Sequence, residues 1–140
     1  MDDRRLSDPG LGVDVKFTPM DPPREFDVGG DEPIRMSDCA RIELDPNEQV
    51  TFATDSGVEY DVARKSWGYY ATPSLNGRLP KFGLRAALVA GPGSRYYVFL
   101  IERGKEQDCE RYMDAEGHRI VRWLDNTPDL ESLSSTPGKL

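Results

Sequence analysis

Alternation of apolar and polar residues is the main structural signal in this chain, and it favours β-strands. Residues 34–44 place apolar side chains at every second position except Asp38, which predicts a half-buried strand. Residues 49–54 are β-branched and aromatic, and residues 58–63 alternate strictly. A turn-forming Asp-Ser-Gly lies between these two segments, so we expect a hairpin. Its apolar face is expected to carry Val58, Tyr60 and Val62.

The second half of the chain predicts another antiparallel pair. Residues 84–90 and 95–101 are two apolar runs with a Gly-Pro-Gly-Ser turn between them. The second run is apolar almost without interruption, so we expect both of its faces to be covered. This interpretation places it at the centre of a sheet.

One helix is predicted, over residues 105–116. Cys109, Tyr112 and Met113 share one helical face, and Gly117 stands where a C-terminal cap belongs. Residues 119–124 predict a last strand. The predicted fold class is therefore α+β, with a mostly antiparallel sheet of five or six strands, one helix packed on a face and flexible acidic termini.

The charged residues divide the chain further. Residues 1–33 hold five prolines, four glycines and a net charge of −5, from nine acidic and four basic residues. Residues 125–140 carry a net charge of −2, from three acidic residues and one basic residue. Such compositions are typical of chain that lacks a core of its own. We therefore predict a largely disordered or draped acidic arm over 1–33, a single domain over 34–124 and a flexible acidic tail over 125–140.

Positive charge gathers in the middle of this acidic chain. Residues 62–101 contain six cations and no Asp or Glu, although the whole chain has a net charge of −7. Within that region, the segment 64–85 is also rich in aromatic residues. Aromatic rings stack on sugars and bases, and arginine binds phosphate or carboxylate through two parallel hydrogen bonds. The residues predicted to bind a ligand are Arg64, Lys65, Trp67, Tyr69, Tyr70, Asn76, Arg78, Lys81 and Arg85.

The first functional hypothesis follows from that segment. It is an accessory or ligand-binding protein that recognises an anionic sugar-type or nucleotide ligand through residues 64–85. A structural interpretation stays open, in which the aromatic residues cover the core and the cations are solvated or pair with the acidic tails. Nucleic acid is a disfavoured partner, because the pI of about 4.7 and the acidic arm oppose a phosphate backbone.

Other classes of function have less support in the sequence. There is no catalytic motif, so no catalytic residue is predicted. Carboxylates on or beside strands leave a small enzyme of sugar metabolism open, and these are Asp38, Glu59, Asp61 and Glu102. A protein-interaction module that uses the acidic arms to engage a protein partner is the other alternative.

No cofactor and no metal ion are predicted. Cys39 and Cys109 are far apart and lack the spacing of metal ligands, and His118 has no partner that the sequence reveals. No apolar run is long enough to span a bilayer, which predicts no membrane partner. The first residues lack the apolar stretch of a signal peptide, so the sequence predicts a cytoplasmic protein.

The run Arg-Lys-Ser-Trp-Gly-Tyr-Tyr-Ala-Thr-Pro-Ser-Leu-Asn-Gly-Arg-Leu, from Arg64 to Leu79, resembles that of small uncharacterised bacterial proteins. The resemblance covers residues 50–124. These proteins are associated with the biosynthesis of surface polysaccharides or sugar nucleotides. The resemblance implies a bacterial source and a context in sugar metabolism, and it transfers no catalytic residue.

Overall fold

The computed structural model describes residues 4–8, 13–136 and 138, with side chains from residue 16 onward. Parts of the predicted arm and tail, residues 1–3, 9–12, 137, 139 and 140, lie outside the described residues.

The strands are β1 (Arg4–Asp8), β2 (Val13–Val28), β3 (Ile34–Glu43), β4 (Gln49–Ala53), β5 (Glu59–Lys65), β6 (Gly68–Ala71), β7 (Leu84–Gly91), β8 (Arg95–Glu102) and β9 (Arg119–Trp123). The helices are α1 (Arg78–Lys81), α2 (Glu106–Glu116) and α3 (Thr127–Ser134). Over the described part of the chain, the strands form three sheets, ordered β1-β2-β3, β4-β5-β6 and β8-β7-β9. These elements confirm an α+β chain that is mostly antiparallel.

The prediction of one sheet with five or six strands is wrong, because the strands divide among three small sheets. Period-two alternation identifies a strand but does not identify its partner, and short connections favour pairing between neighbours. The prediction of one helix is also incomplete. It matches α2, whereas α1 and α3 are missed.

The chain forms two compact units, each built from two stretches of sequence. Unit 1 is Met1–Val50 with Val62–Tyr70, and unit 2 is Thr51–Asp61 with Ala71–Leu140. The predicted division into arm, domain and tail stays a prediction.

In unit 1, a long antiparallel pair of β2 and β3 organises a segment that has few apolar residues. The register joins Phe17 to Ile42 and Val28 to Ile34, with a shift between Pro19 and Arg24. Exposed ion pairs connect the two strands, and one of them joins Arg35 Nε to Asp27 Oδ1 at 2.6 Å. Exposed pairs of this kind each contribute about 0–1 kcal/mol, so backbone pairing carries most of the ribbon.

In unit 2, strand β7 separates two apolar clusters. Its even-numbered residues face one cluster, in which Ala86 and Leu84 pack with Val58 and Leu79. Its odd-numbered residues face the other, in which Ala87 and Val89 pack with Ile101 and Met113. The central strand is therefore covered on both faces.

The prediction that residues 95–101 form a central strand is wrong. Strand β7 lies between β8 and β9, so β8 is an edge strand. Its second half packs between the two clusters, and Ile101 is buried. Its first half is exposed. The continuous apolar run therefore indicates that both faces are covered near the end of β8. It does not indicate the position of β8 in the strand order.

Helix ends follow the local sequence. Gly117 ends α2 in the left-handed conformation with φ +71°, and the His118 amide donates to the Met113 carbonyl at 2.8 Å. Asn126 caps α3 by accepting a hydrogen bond from the Asp129 amide at 2.9 Å. Among the described helices, none is long and apolar enough to cross a membrane.

Replacing Leu79 tests the first of the two clusters. Leu79 is only 1% exposed, so Leu79→Ala should lower the free energy of unfolding by about 2–5 kcal/mol. The matched control is Leu133→Ala on α3, where the leucine is exposed and the change should stay within about 0.5 kcal/mol. Urea unfolding followed by circular dichroism measures both. Equal losses in the two variants would contradict the cluster described here.

Candidate functional site

The nine residues predicted to bind a ligand do not lie in one loop. Unit 1 holds Arg64, Lys65, Trp67, Tyr69 and Tyr70, and unit 2 holds Asn76, Arg78, Lys81 and Arg85. The segment folds into the end of β5, a two-residue turn, β6, α1 and the start of β7. The two groups have different surroundings, and each is described by itself.

The unit 1 group lies on the hairpin of β5 and β6. A turn of two residues, Ser66 and Trp67, joins the strands. Trp67 is 71% exposed, and its ring stacks on that of Tyr70 with centroids 6.1 Å apart. Tyr69 is exposed as well. These rings are therefore presented to solvent, and the structural interpretation that they cover a core does not hold for them.

The two cations of this hairpin are held by neutral acceptors. Arg64 donates from Nη1 to the Leu44 carbonyl at 2.6 Å and from Nε to the Lys65 carbonyl at 3.0 Å. Lys65 Nζ donates to Asn47 Oδ1 at 2.8 Å. A carbonyl or amide oxygen orients a cation without cancelling its charge, so the hairpin keeps its positive charges.

In unit 2, Arg78 is paired with a buried carboxylate. Its Nη2 lies 3.1 Å from Asp61 Oδ2, and Thr51 Oγ1 donates to Asp61 Oδ1 at 2.6 Å. Asp61 is 8% exposed, so the polar face of the hairpin holds a buried residue in addition to Val58, which is buried on the apolar face as expected. The alternation of residues 58–63 did not reveal that a carboxylate with two partners can occupy the covered side.

Asn76 and Lys81 also have structural surroundings of their own. The Asn76 side-chain amide donates to Thr127 Oγ1 at 3.1 Å, which ties the segment before α1 to the start of α3. Lys81 lies exposed at the end of α1. Asn76 and Lys81 therefore do not form a common binding site with Arg78.

Arg85 is neutralised by two carboxylates. Its Nε lies 2.6 Å from Asp125 Oδ2 and its Nη1 lies 3.3 Å from Glu106 Oε2. The guanidinium also lies over the Trp123 ring, 3.7 Å from the ring centroid. The hydrogen bond to Asp125 is the main cause that raises the pKa of Arg85, and burial opposes it.

A polar cleft of about 320 Å³ borders this cluster. Its lining residues are Pro80, Arg85, Arg103, Glu106 and Asp125. Asp125 Oδ1 is buried without a hydrogen-bond partner among the described residues. Cations and carboxylates are present in equal number, so the cleft does not select an anion by charge.

A wider groove follows the free edge of β8. It has a volume of about 500 Å³ and is lined by five consecutive residues, Val98 to Glu102, together with Lys105, Asp108 and Cys109 on the side of α2. Val98 is 62% exposed and Tyr96 is 60% exposed. The sequence analysis missed this surface because it placed the strand at the centre of a sheet.

The other edge of the same sheet is protected. Strand β9 has only five residues, and a bulge at Val121 shifts its register with β7. Arg119 and Arg122 add charge to it. Short length, bulges and charges are the devices that keep edge strands from pairing with other chains. Strand β8 has none of them between its charged end residues, and its register with β7 is unbroken over eight pairs.

His118 directly follows Gly117, the residue that caps α2, and its ring lies among aromatic side chains. Its ring lies 5.6 Å from that of Tyr97 and 5.7 Å from that of Phe99, between centroids. It also borders a cavity of about 380 Å³ with Glu110, Asp114 and Met113 among the lining residues. Within the described chain, no group of three or more His, Cys, Asp or Glu residues could hold a metal ion.

Comparisons with family models, with curated proteins and with solved structures give no match for this chain. The resemblance to bacterial proteins of polysaccharide or sugar-nucleotide biosynthesis therefore stays a prediction. Function has to be argued from the residues and surfaces described above.

The Arg85 cluster generates a prediction about acid stability. Hydrogen bonds from the amides of Glu106 itself and of Gly104 lower the pKa of Glu106, and Arg85 lowers it further. The stabilisation is present above the ordinary carboxyl pKa of about 4.3 and is lost as the pH falls through the lowered value. Glu106→Gln should therefore remove part of the stability loss between about pH 5 and pH 3.

Thermal unfolding midpoints across that pH range measure the effect. Glu110→Gln on the same helix is the matched control, because Glu110 is exposed and is not one of the carboxylates that pair with Arg85. Identical pH profiles for wild type and Glu106→Gln would argue against a coupling between this carboxylate and folding.

Proposed function

We propose that this protein is a protein-interaction module that binds an extended segment of a partner as an additional strand on β8. The observation that carries the proposal is the contrast between the two edges of one sheet. The β9 edge is short, bulged and charged, whereas the β8 edge is eight residues long, regular and apolar between Arg95 and Glu102.

The backbone of β8 supplies the affinity in this proposal. Alternate residues of an edge strand direct their N–H and C=O groups away from the sheet, where an incoming strand can pair with them. Each such hydrogen bond contributes about 0.5–1.5 kcal/mol net. The unbroken register of β8 with β7 keeps these groups in line along the strand.

The side chains beside the edge supply the selectivity. Phe99 and Ile101 point to the α2 side of the sheet, where Cys109 also lines the groove, and Val98 and Leu100 point to the other side. An added strand directs successive side chains to opposite faces. The preferred occupant is therefore an extended segment that carries apolar side chains on both of its faces.

The other hypotheses have less support from the contacts. Among the candidate catalytic carboxylates, Asp61 is paired with Arg78 and Glu102 lies 3.5 Å from Lys105. The acidic arms are not required for strand addition on β8.

A charge placed on the edge should weaken the proposed binding. Val98→Lys should weaken the affinity of an edge-binding peptide by about tenfold or more, because the lysine would be buried or displaced by the added strand. Val121→Lys, on the protected edge, is the matched control and should bind normally. The peptide is obtained by selection of a linear display library on the wild-type protein, and calorimetry measures its affinity for each variant.

Protection of the groove gives a second readout. Burial raises the pKa of the Cys109 thiol, so alkylation is followed at mildly alkaline pH in a Cys39→Ser background. The bound peptide should slow alkylation of Cys109 and slow hydrogen exchange of the β8 amides. A selection that yields no binder, or a peptide that binds Val98→Lys as well as wild type, would refute strand addition. A wild-type dimer that Val98→Lys dissociates would make a second copy the occupant.

A further inference from the structure

The geometry points to a second and independent binding site in residues 64–70 of unit 1, around the turn of the β5–β6 hairpin, which takes a ring that can stack on an indole and that bears a phosphate-like anion. A nucleotide and a sugar phosphate both have this chemistry. The inference does not depend on strand addition at β8, because it uses other residues in the other unit.

The aromatic rings of this hairpin are exposed to solvent. Trp67 lies in the turn and stays 71% exposed although it stacks on Tyr70. Most of the indole surface is therefore open to a ligand. Stacking of a base on an aromatic side chain contributes about 1–3 kcal/mol and tolerates different bases. The contact with Tyr70 fixes the indole in advance, which lowers the entropy that binding has to overcome.

Positive charge lies beside those rings. Lys65 precedes the turn directly, and a two-residue hairpin loop places Tyr69 opposite Arg64. Arg64 uses Nε and Nη1 for its two backbone bonds. Its Nη2 makes no bond to any residue whose side chain the structure describes, so donors remain for an anion. An oriented arginine next to a ring fits a phosphate attached to a stacked group.

The cations of this hairpin differ from the other arginines of the segment in their partners. Arg78 and Arg85 are each within 4 Å of a carboxylate. Arg64 and Lys65 have no such partner among the described carboxylates, and their acceptors are the Leu44 and Lys65 carbonyls and the Asn47 side chain. Glu48 borders this group, because its backbone carbonyl accepts from the Arg64 amide at 2.8 Å. Its carboxylate accepts from the Asp45 amide at 2.5 Å and forms no ion pair with Arg64 or Lys65 among the described contacts. Local positive charge therefore survives here and is cancelled in unit 2.

The ligand-binding prediction is thereby narrowed from residues 64–85 to residues 64–70. Arg64, Lys65, Trp67, Tyr69 and Tyr70 form the proposed site. Arg78 and Arg85, with their carboxylate partners, are assigned to the folding of unit 2 instead.

Calorimetric titration of the full chain with adenosine monophosphate, adenosine, inorganic phosphate and a hexose phosphate tests the site. We expect saturable binding of adenosine monophosphate that is stronger than that of adenosine or phosphate alone and that weakens as salt rises. A comparable response to the hexose phosphate would assign the site to phosphorylated rings in general, and its absence would assign it to nucleotides.

Variants locate the binding. Trp67→Ala and Lys65→Gln should each weaken adenosine monophosphate by about tenfold, as loss of one stack or one charged donor predicts. Lys81→Gln and Tyr96→Ala are matched controls at an exposed cation and an exposed ring of unit 2, and both should bind as wild type does. Circular dichroism establishes that each variant is folded.

Two results would overturn the inference. One is the absence of saturable binding for every phosphorylated probe. The other is binding that Trp67→Ala and Lys65→Gln leave unchanged, which would move the anion to another surface. Neither result affects strand addition, whose test uses Val98→Lys and a peptide, so failure of one proposal is distinguishable from failure of the other.

Discussion

Burial of β7 on both faces is the constraint on which unit 2 depends. Ala86 and Ala87 are fully buried on opposite sides of the strand, and their small side chains let the two clusters approach its backbone. A sheet packed in this way has no open face left at its centre. Its two edges remain, and the register of β8 with β7 is regular whereas that of β9 with β7 is interrupted by a bulge.

The partners of each cation show whether its charge is neutralised within the fold or remains available to bind an anion. Asp61 and Asp125 are two largely buried carboxylates, and each receives an arginine from the cationic segment. Removing one partner of such a pair leaves a charge uncompensated, which is costly in a buried place. Arg64, by contrast, is oriented by backbone carbonyls. Orientation without neutralisation is what a recognition site for an anion requires.

Local signals in the sequence were sufficient for many of the elements. Alternation predicted β3 and the β4–β5 hairpin, and the apolar stripe with Gly117 predicted α2 and its end. Strand order could not be predicted from the sequence. The apolar character of β8 arises because both of its faces are covered, and an edge strand with two covered faces has the same pattern as a central one. The four-residue α1 was missed because Gly77 and Pro80 indicate a break in regular structure and carry no helical period.

The candidate surfaces could be predicted only in part from the sequence, for the same reason. The sequence indicated that the cations of residues 64–85 lie apart from nearby carboxylates in the chain, but Arg78 and Arg85 find theirs at distant positions. Asp61 and Asp125 precede and follow the segment, and only folding brings them to it. The aromatic residues of the turn are exposed, and their role in ligand binding stays a prediction.

The bulge at Val121 has a consequence for how copies of this chain can assemble. Open-ended stacking of identical sheets needs two compatible edges, so that one end of each molecule can receive the opposite end of the next. A regular β8 and an irregular β9 do not match in this way. Pairing through β8 uses up the regular edge of this sheet, so an assembly built from this sheet alone closes after a single junction and does not extend into a fibre.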